Sequence, residues 1–195
     1  VVAVALLAQL AAPVPGWQYW LVRGLALSAY LLVFLATLSA ASLPALAKAF
    51  GRPFVAVHHV ATVAAFAAMV AHPLAYAAAF GSLEPLVPRA ASLYDFFLWA
   101  GRPALALFLV AVLAGLLRLA FKKGWRYFHL VVYAAFLLVT VHANLIGTTF
   151  AALPARIASW VLAAVATVVF VRKRLQRRAA RPAAPVPAAP AAPQA

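Results

Sequence analysis

Apolar residues run along this chain in long blocks, without the two-residue alternation of a half-buried strand. About 20 mostly apolar residues cross the roughly 30 Å hydrocarbon core of a bilayer. Five blocks reach or approach that length: Trp20 to Leu43, Pro53 to Phe80, Gly101 to Ala120, Trp125 to Ile146 and Pro154 to Val171. A sixth, Val1 to Ala12, amounts to about 18 Å of helix and reads as an incomplete first helix. Between the blocks stand helix-ending residues: Pro13, Pro15 and Gly16, then Pro44, Gly51-Arg52-Pro53, Gly81 through Pro88, Lys122-Lys123-Gly124, and Gly147 through Pro154. The pattern predicts an all-α, polytopic membrane helix bundle of five to six transmembrane helices. Residues 1–16 form the short apolar segment, 17–171 the membrane domain, and 172–195 a basic stretch followed by an Ala/Pro-rich tail, expected to be disordered.

Composition sharpens this reading. With 68% apolar and 9% charged residues among 195, the chain departs from soluble domains, in which about half the residues are apolar and about a quarter charged. Sixteen Lys and Arg stand against Glu84 and Asp95, for a net charge of +14. In a polar protein that excess would suggest a nucleic-acid partner. Here the bases lie between and after the apolar blocks, so the expected partner is membrane lipid and no nucleic acid. One side of the membrane collects Lys48, Arg52, Arg118, Lys122, Lys123, Arg126, Arg172, Lys173, Arg174, Arg177, Arg178 and Arg181, and the other Arg23, Arg89, Arg102 and Arg156. The positive-inside rule makes the first side, with the C-terminus, cytoplasmic, and a bacterial inner (plasma) membrane is the expected location. Cysteine is absent, which removes disulfides, thiolate sites and iron–sulfur clusters. Two carboxylates equip the chain poorly for acid–base hydrolysis. Chemistry is therefore expected from a bound cofactor, with no catalytic side chain assigned.

All five histidines fall in two blocks: His58, His59 and His72 in one, His129 and His142 in the other. Ionisable residues inside a membrane are costly and point to function, although a neutral imidazole also serves as packing glue between helices. His58 and His72 are separated by about 21 Å of helix and about 40° short of four whole turns, so they share a face at two depths. His129 and His142 are separated by about 19.5 Å, but on a straight helix by about 140° of rotation. Tilt or bending is required to bring them to one face. One block intervenes between the two histidine helices, so these run parallel. His58 and His129 then lie at one level, His72 and His142 at another. Two facing imidazoles make an axial pair for haem iron. Zinc prefers four tetrahedral ligands, and a proton path normally uses carboxylates too; the blocks supply neither. Bis-histidine haem uses all the paired residues, with His58, His72, His129 and His142 as iron ligands. His59 lies thirteen residues from His72 and could replace His58, though it points about 100° away.

The stretches Gly51-Arg52-Pro53 through His58 to Ala71-His72-Pro73, and Trp125-Arg126-Tyr127-Phe128-His129-Leu130-Val131-Val132-Tyr133 through His142, resemble the ferric-reductase-like transmembrane domain family. The likeness extends over roughly Leu25 to Val171. That family includes the membrane domains of ferric reductases and NADPH oxidases, and the stand-alone haem-binding membrane subunit of the periplasmic methionine sulfoxide reductase system. The resemblance implies one or two b haems, two being favoured, with His58 and His129 holding the inner and His72 and His142 the outer. Thr62 fills a small-residue position of the family pattern if His58 ligates; His59 would then stand near a haem propionate or take part in proton uptake. Arg52 and Arg126 would pair with inner propionates, the plainer alternative being interface anchors. Two haems across a bilayer move single electrons. The expected function is thus a transmembrane electron-transfer b-type cytochrome subunit, not a complete enzyme. The chain has no Gly-rich dinucleotide loop, so its donor is expected to be a separate flavin reductase or quinol, with flavin or quinone at the cytoplasmic side and an extracytoplasmic redox protein as acceptor. Competing readings are a structural haem-bearing anchor of a larger redox complex and a His-lined transporter. The lack of intramembrane acids and of inverted repeats counts against the transporter.

Overall fold

The structure, a computed structural model, describes residues 16–51, 54–87, 90–121 and 124–179. The incomplete first helix expected before residue 16, Arg52, and the Ala/Pro tail from residue 180 lie outside the described residues. Among those described, every regular element is helical. They are α1 (Trp17–Phe50), α2 (Phe54–Phe80), a 3-10 turn (Glu84–Leu86), α3 (Leu93–Leu98), α4 (Gly101–Leu116), α5 (Trp125–His129), α6 (Val131–Ile146), a second 3-10 turn (Thr148–Ala151) and α7 (Leu153–Ala179). Four stretches are long and apolar enough to cross a membrane: Trp17–Ala40, Phe54–Phe80, Trp125–Ile146 and Leu153–Gln176; Gly101–Leu116 is apolar but shorter. The chain is an all-α integral membrane helix bundle whose outer faces meet lipid.

Local chemistry accounts for the boundaries. Gly51 ends α1 in the left-handed conformation (φ 61°), where its N–H donates to the Ala47 carbonyl; a glycine accepts that backbone without Cβ strain. The long connection after α2 is partly structured. Ser92 caps α3 by accepting the Asp95 N–H at 3.0 Å while its hydroxyl donates to the Asp95 carboxylate at 2.8 Å, a reciprocal N-terminal cap. α4 stops at Leu116, four residues before the expected Ala120, because the chain tightens into turns in which the Ala120 and Phe121 N–H groups both donate to the Leu117 carbonyl.

The expected single span from Trp125 to Ile146 is interrupted at Leu130. Its N–H donates to the carbonyls of both Arg126 and Tyr127 at 3.2 Å, and its carbonyl accepts from Tyr133, three residues on. This is 3-10-like winding, with about 3.0 residues per turn where an α-helix has 3.6. Each tight step adds roughly 20° of rotation, which takes up part of the 140° that a straight helix would leave between His129 and His142.

Two antiparallel hairpins emerge. α1 packs along the length of α2, and α4 packs on α5 and α6, whereas α2 and α6 barely approach one another. The hairpins are joined through α1, which also lies against α6 and α7, and by α2 packing directly on α4. Lipid tails are as apolar as leucine, so membrane helices associate by close packing of small residues and by polar contacts. Ala65, Ala104, Ala135, Ala163 and Ala166 accordingly fill the core alongside Tyr30, Phe34, Phe108, Phe136 and Phe150.

Candidate functional site

The structure brings the His58 and His129 rings to a centroid separation of 6.4 Å, with planes at 74°. His72 on α2 and His142 on α6 stand at the other level, seated on the Val22 and Leu98 carbonyls. Each hairpin thus contributes one imidazole to each of two levels. All four rings are half-buried.

Every one of these four rings is held the same way. Nδ1 of His58 lies 3.2 Å from the Ala36 carbonyl, that of His72 2.9 Å from Val22, that of His129 2.9 Å from Ala111, and that of His142 2.7 Å from Leu98. A carbonyl oxygen only accepts, so Nδ1 carries the proton in each case and Nε2 is left with its lone pair. Such a bond fixes the tautomer and swings Nε2 to the far side of the ring. It is the usual support behind a metal-binding histidine. The spacing is also copied between helices. The pair His58 and His72 on α2 uses carbonyls at 36 and 22 of antiparallel α1, again fourteen apart. The pair His129 and His142 uses carbonyls at 111 and 98, again thirteen apart.

Glycines make room for these seats. A Cβ on Gly101 would fall 2.9 Å from Nε2 of His142, and Gly115 sits 3.9 Å, measured from the same hypothetical atom, from Nδ1 of His129. Gly115 lies one turn beyond Ala111, the residue whose carbonyl His129 uses. Neither glycine nor any of the four carbonyls was singled out from sequence. A glycine inside an apolar helix was the available signal; the carbonyls carry no residue-type signal at all.

His59 is placed differently. It is exposed, its ring lies 5.9 Å from that of His58, and it makes no hydrogen bond among the described residues. Thr62 uses its hydroxyl to donate to the His58 carbonyl at 2.8 Å. At the same level the Trp125 ring lies 5.5 Å from His129, and Arg126, itself exposed, holds its guanidinium 5.8 Å above that indole. At the other end Arg102 donates to the carbonyls of Pro85 and Glu84 and lies 4.4 Å over Trp99, next to the segment that seats His142.

Among the described residues no three His, Cys, Asp or Glu side chains gather as a metal-binding group. The donors come as pairs, which suits a metal whose equatorial ligands arrive with it. The reach agrees: with about 2.0 Å from metal to imidazole nitrogen and roughly 1.1 Å from nitrogen to ring centre, two axial imidazoles have centroids about 6.2 Å apart. The observed 6.4 Å between His58 and His129 matches that length for one metal ion between the two rings. Comparison with protein-family models, with curated proteins and with solved structures found no match.

Proposed function

We propose that the chain is a transmembrane electron-transfer subunit of the ferric-reductase-like kind, holding b haems between paired histidines. The observation that carries this reading is the fourfold repeat of one arrangement: a membrane histidine whose Nδ1–H is anchored on the neighbouring helix and whose Nε2 is free. Packing glue alone would not repeat the same tautomer at matched spacings on two hairpins. His58 and His129 would hold one haem and His72 and His142 the other. His58 is preferred to His59 because it alone of the two is braced and faces His129.

Bound in this way, haem supplies one-electron redox chemistry, with a potential set by axial ligation, burial and nearby charge. The chain's own part is to hold each imidazole in one tautomer, to keep water from the pairs with aromatic and small apolar side chains, and to stack two levels along the bilayer normal. Lys48, Arg118, Arg126, Arg172, Lys173 and Arg174 lie toward the end that carries His58 and His129. The charge bias supports that end as cytoplasmic, in a bacterial inner membrane. Electrons would come there from a separate flavin reductase or quinol and leave past His72 and His142 to an extracytoplasmic acceptor.

The test is the visible spectrum of the purified, haem-supplied chain, air-oxidised and then reduced, with its haem-to-protein ratio. A low-spin b-type spectrum at two haems per chain is expected. Absence of that spectrum would remove the proposal.

A further inference from the structure

Resting on the reading just given, we propose that Tyr30 is the positioning residue that sets the distance between the two histidine-bearing hairpins. Within each hairpin the rings are tied to their own partner helix: His58 and His72 to α1, His129 and His142 to the α3–α4 segment. None of those four bonds crosses from one hairpin to the other, and α2 and α6 barely touch. Something else must fix how far apart the facing imidazoles stand.

Besides the direct packing of α2 on α4, buried side-chain hydrogen bonds cross between the hairpins from a row on α1 about 100° round from Val22 and Ala36, where Arg23 donates to Thr149 Oγ1. Arg23, Tyr30 and Thr37 recur there at seven-residue intervals, all buried, and Tyr30 sits between the two ring-bearing carbonyls of Val22 and Ala36. Its hydroxyl reaches Thr140 Oγ1 on α6 at 3.1 Å and the Ser159 carbonyl on α7 at 3.1 Å. Thr140 also donates to the Phe136 carbonyl at 2.9 Å. Tyr30 donates to Ser159, which only accepts, so the single Thr140 proton is shared between Tyr30 Oη and Phe136. One buried phenol hydroxyl thereby ties three helices together, among buried partners that have few alternatives. Thr140 stands two residues before His142 on α6, so the tie fixes the stretch of helix that carries that imidazole while the Thr140 side chain itself faces α1. The Tyr30 ring itself stacks on Phe136 at 5.1 Å and meets Phe150 edge-on at 5.8 Å.

Tyr30→Phe keeps these ring contacts and removes only the tie. Thr140→Val removes it from the other side with little change of shape. Thr167→Ala is the control, since Thr167 donates to the Ala163 carbonyl within its own helix α7, away from every histidine seat. The cysteine-free chain allows spin labels at Ser82→Cys, beyond α2, and Thr148→Cys, beyond α6, and electron–electron distance measurement on the full chain. Tyr30→Phe and Thr140→Val are expected to broaden that distance distribution and to shift the haem midpoint potentials and low-spin g values at unchanged haem content. Thr167→Ala should change none of these. Unaltered distances and potentials in Tyr30→Phe would overturn the proposal, and if that variant does not fold, Thr140→Val decides in the same way. A wild-type chain without haem would sink the functional reading while the label distances still judged Tyr30.

Discussion

Replacing Gly101 with alanine tests whether the room it leaves against the Nε2 end of the His142 ring matters in its own right. The new Cβ would lie 2.9 Å from Nε2, 3.1 Å from Cδ2 and 3.2 Å from Cε1 of that ring. Comfortable separations between such atoms are about 3.5–4.0 Å, so the imidazole must retreat by roughly half an ångström or more. The 2.7 Å bond from Nδ1 to Leu98 would stretch as it does so. Overpacking of this kind costs about 1–3 kcal/mol, and weakening one hydrogen bond up to about 1 kcal/mol more. The lower chain entropy of alanine returns about 0.4–1 kcal/mol. A net loss of about 1–3 kcal/mol is expected, or roughly five- to a hundredfold in affinity at 1.4 kcal/mol per factor of ten. Disturbed support behind a metal-bound histidine costs about 10–100-fold elsewhere. Haem titration with a parallel redox titration should show the His72–His142 centre weakened and the His58–His129 centre intact. Gly115→Ala is the matched control, because its Cβ would make an ordinary 3.9 Å contact with His129. Wild-type affinity at both centres in Gly101→Ala, or an equal loss in Gly115→Ala, would refute the reasoning.

Other outcomes are expected on the same grounds. His58→Leu should lose one haem per chain while His59→Leu keeps both; full haem retention in His58→Leu would transfer the ligand role away from it. Single cysteines introduced at Ala179 and at Ser82 should label from opposite sides of the membrane with an impermeant reagent, Ala179→Cys from the cytoplasm; labelling from one side would contradict the topology. Ser92→Ala removes the cap of α3 and should cost about 1 kcal/mol, read as a small drop in the thermal midpoint, without altering haem content. A larger effect would mean that the outer connection carries more of the fold than its cap.

The membrane bundle was legible because the constraint behind it is local. Backbone polar groups in hydrocarbon must bond internally, so a long apolar run commits to helix whatever its neighbours do. The end of α2, expected at Phe80 and observed there, follows from Gly81 after it. The break at Leu130 was not legible. Nothing in Phe128-His129-Leu130-Val131 resembles a helix breaker, and the shared N–H of Leu130 depends on how α5 and α6 meet α4. The same limit applies to the ring-bearing carbonyls, since every residue has one and only packing selects Val22, Ala36, Leu98 and Ala111.

Spacing along the chain by itself determined that the histidines would fall at two depths, because rise per residue is nearly constant in a helix. It also determined that few side chains other than imidazole could act within the spans. Only the tertiary structure decided which nitrogen each ring presents, why His58 differs from its neighbour His59, and how a 140° disagreement is reduced. These depend on partners distant in sequence: a carbonyl twenty-two residues before His58, a glycine forty-one before His142, a phenol on α1 that bonds two other helices. Rotation about a helix axis accumulates with every small irregularity, whereas depth does not. Depth could therefore be read residue by residue, and facing had to await the assembled bundle.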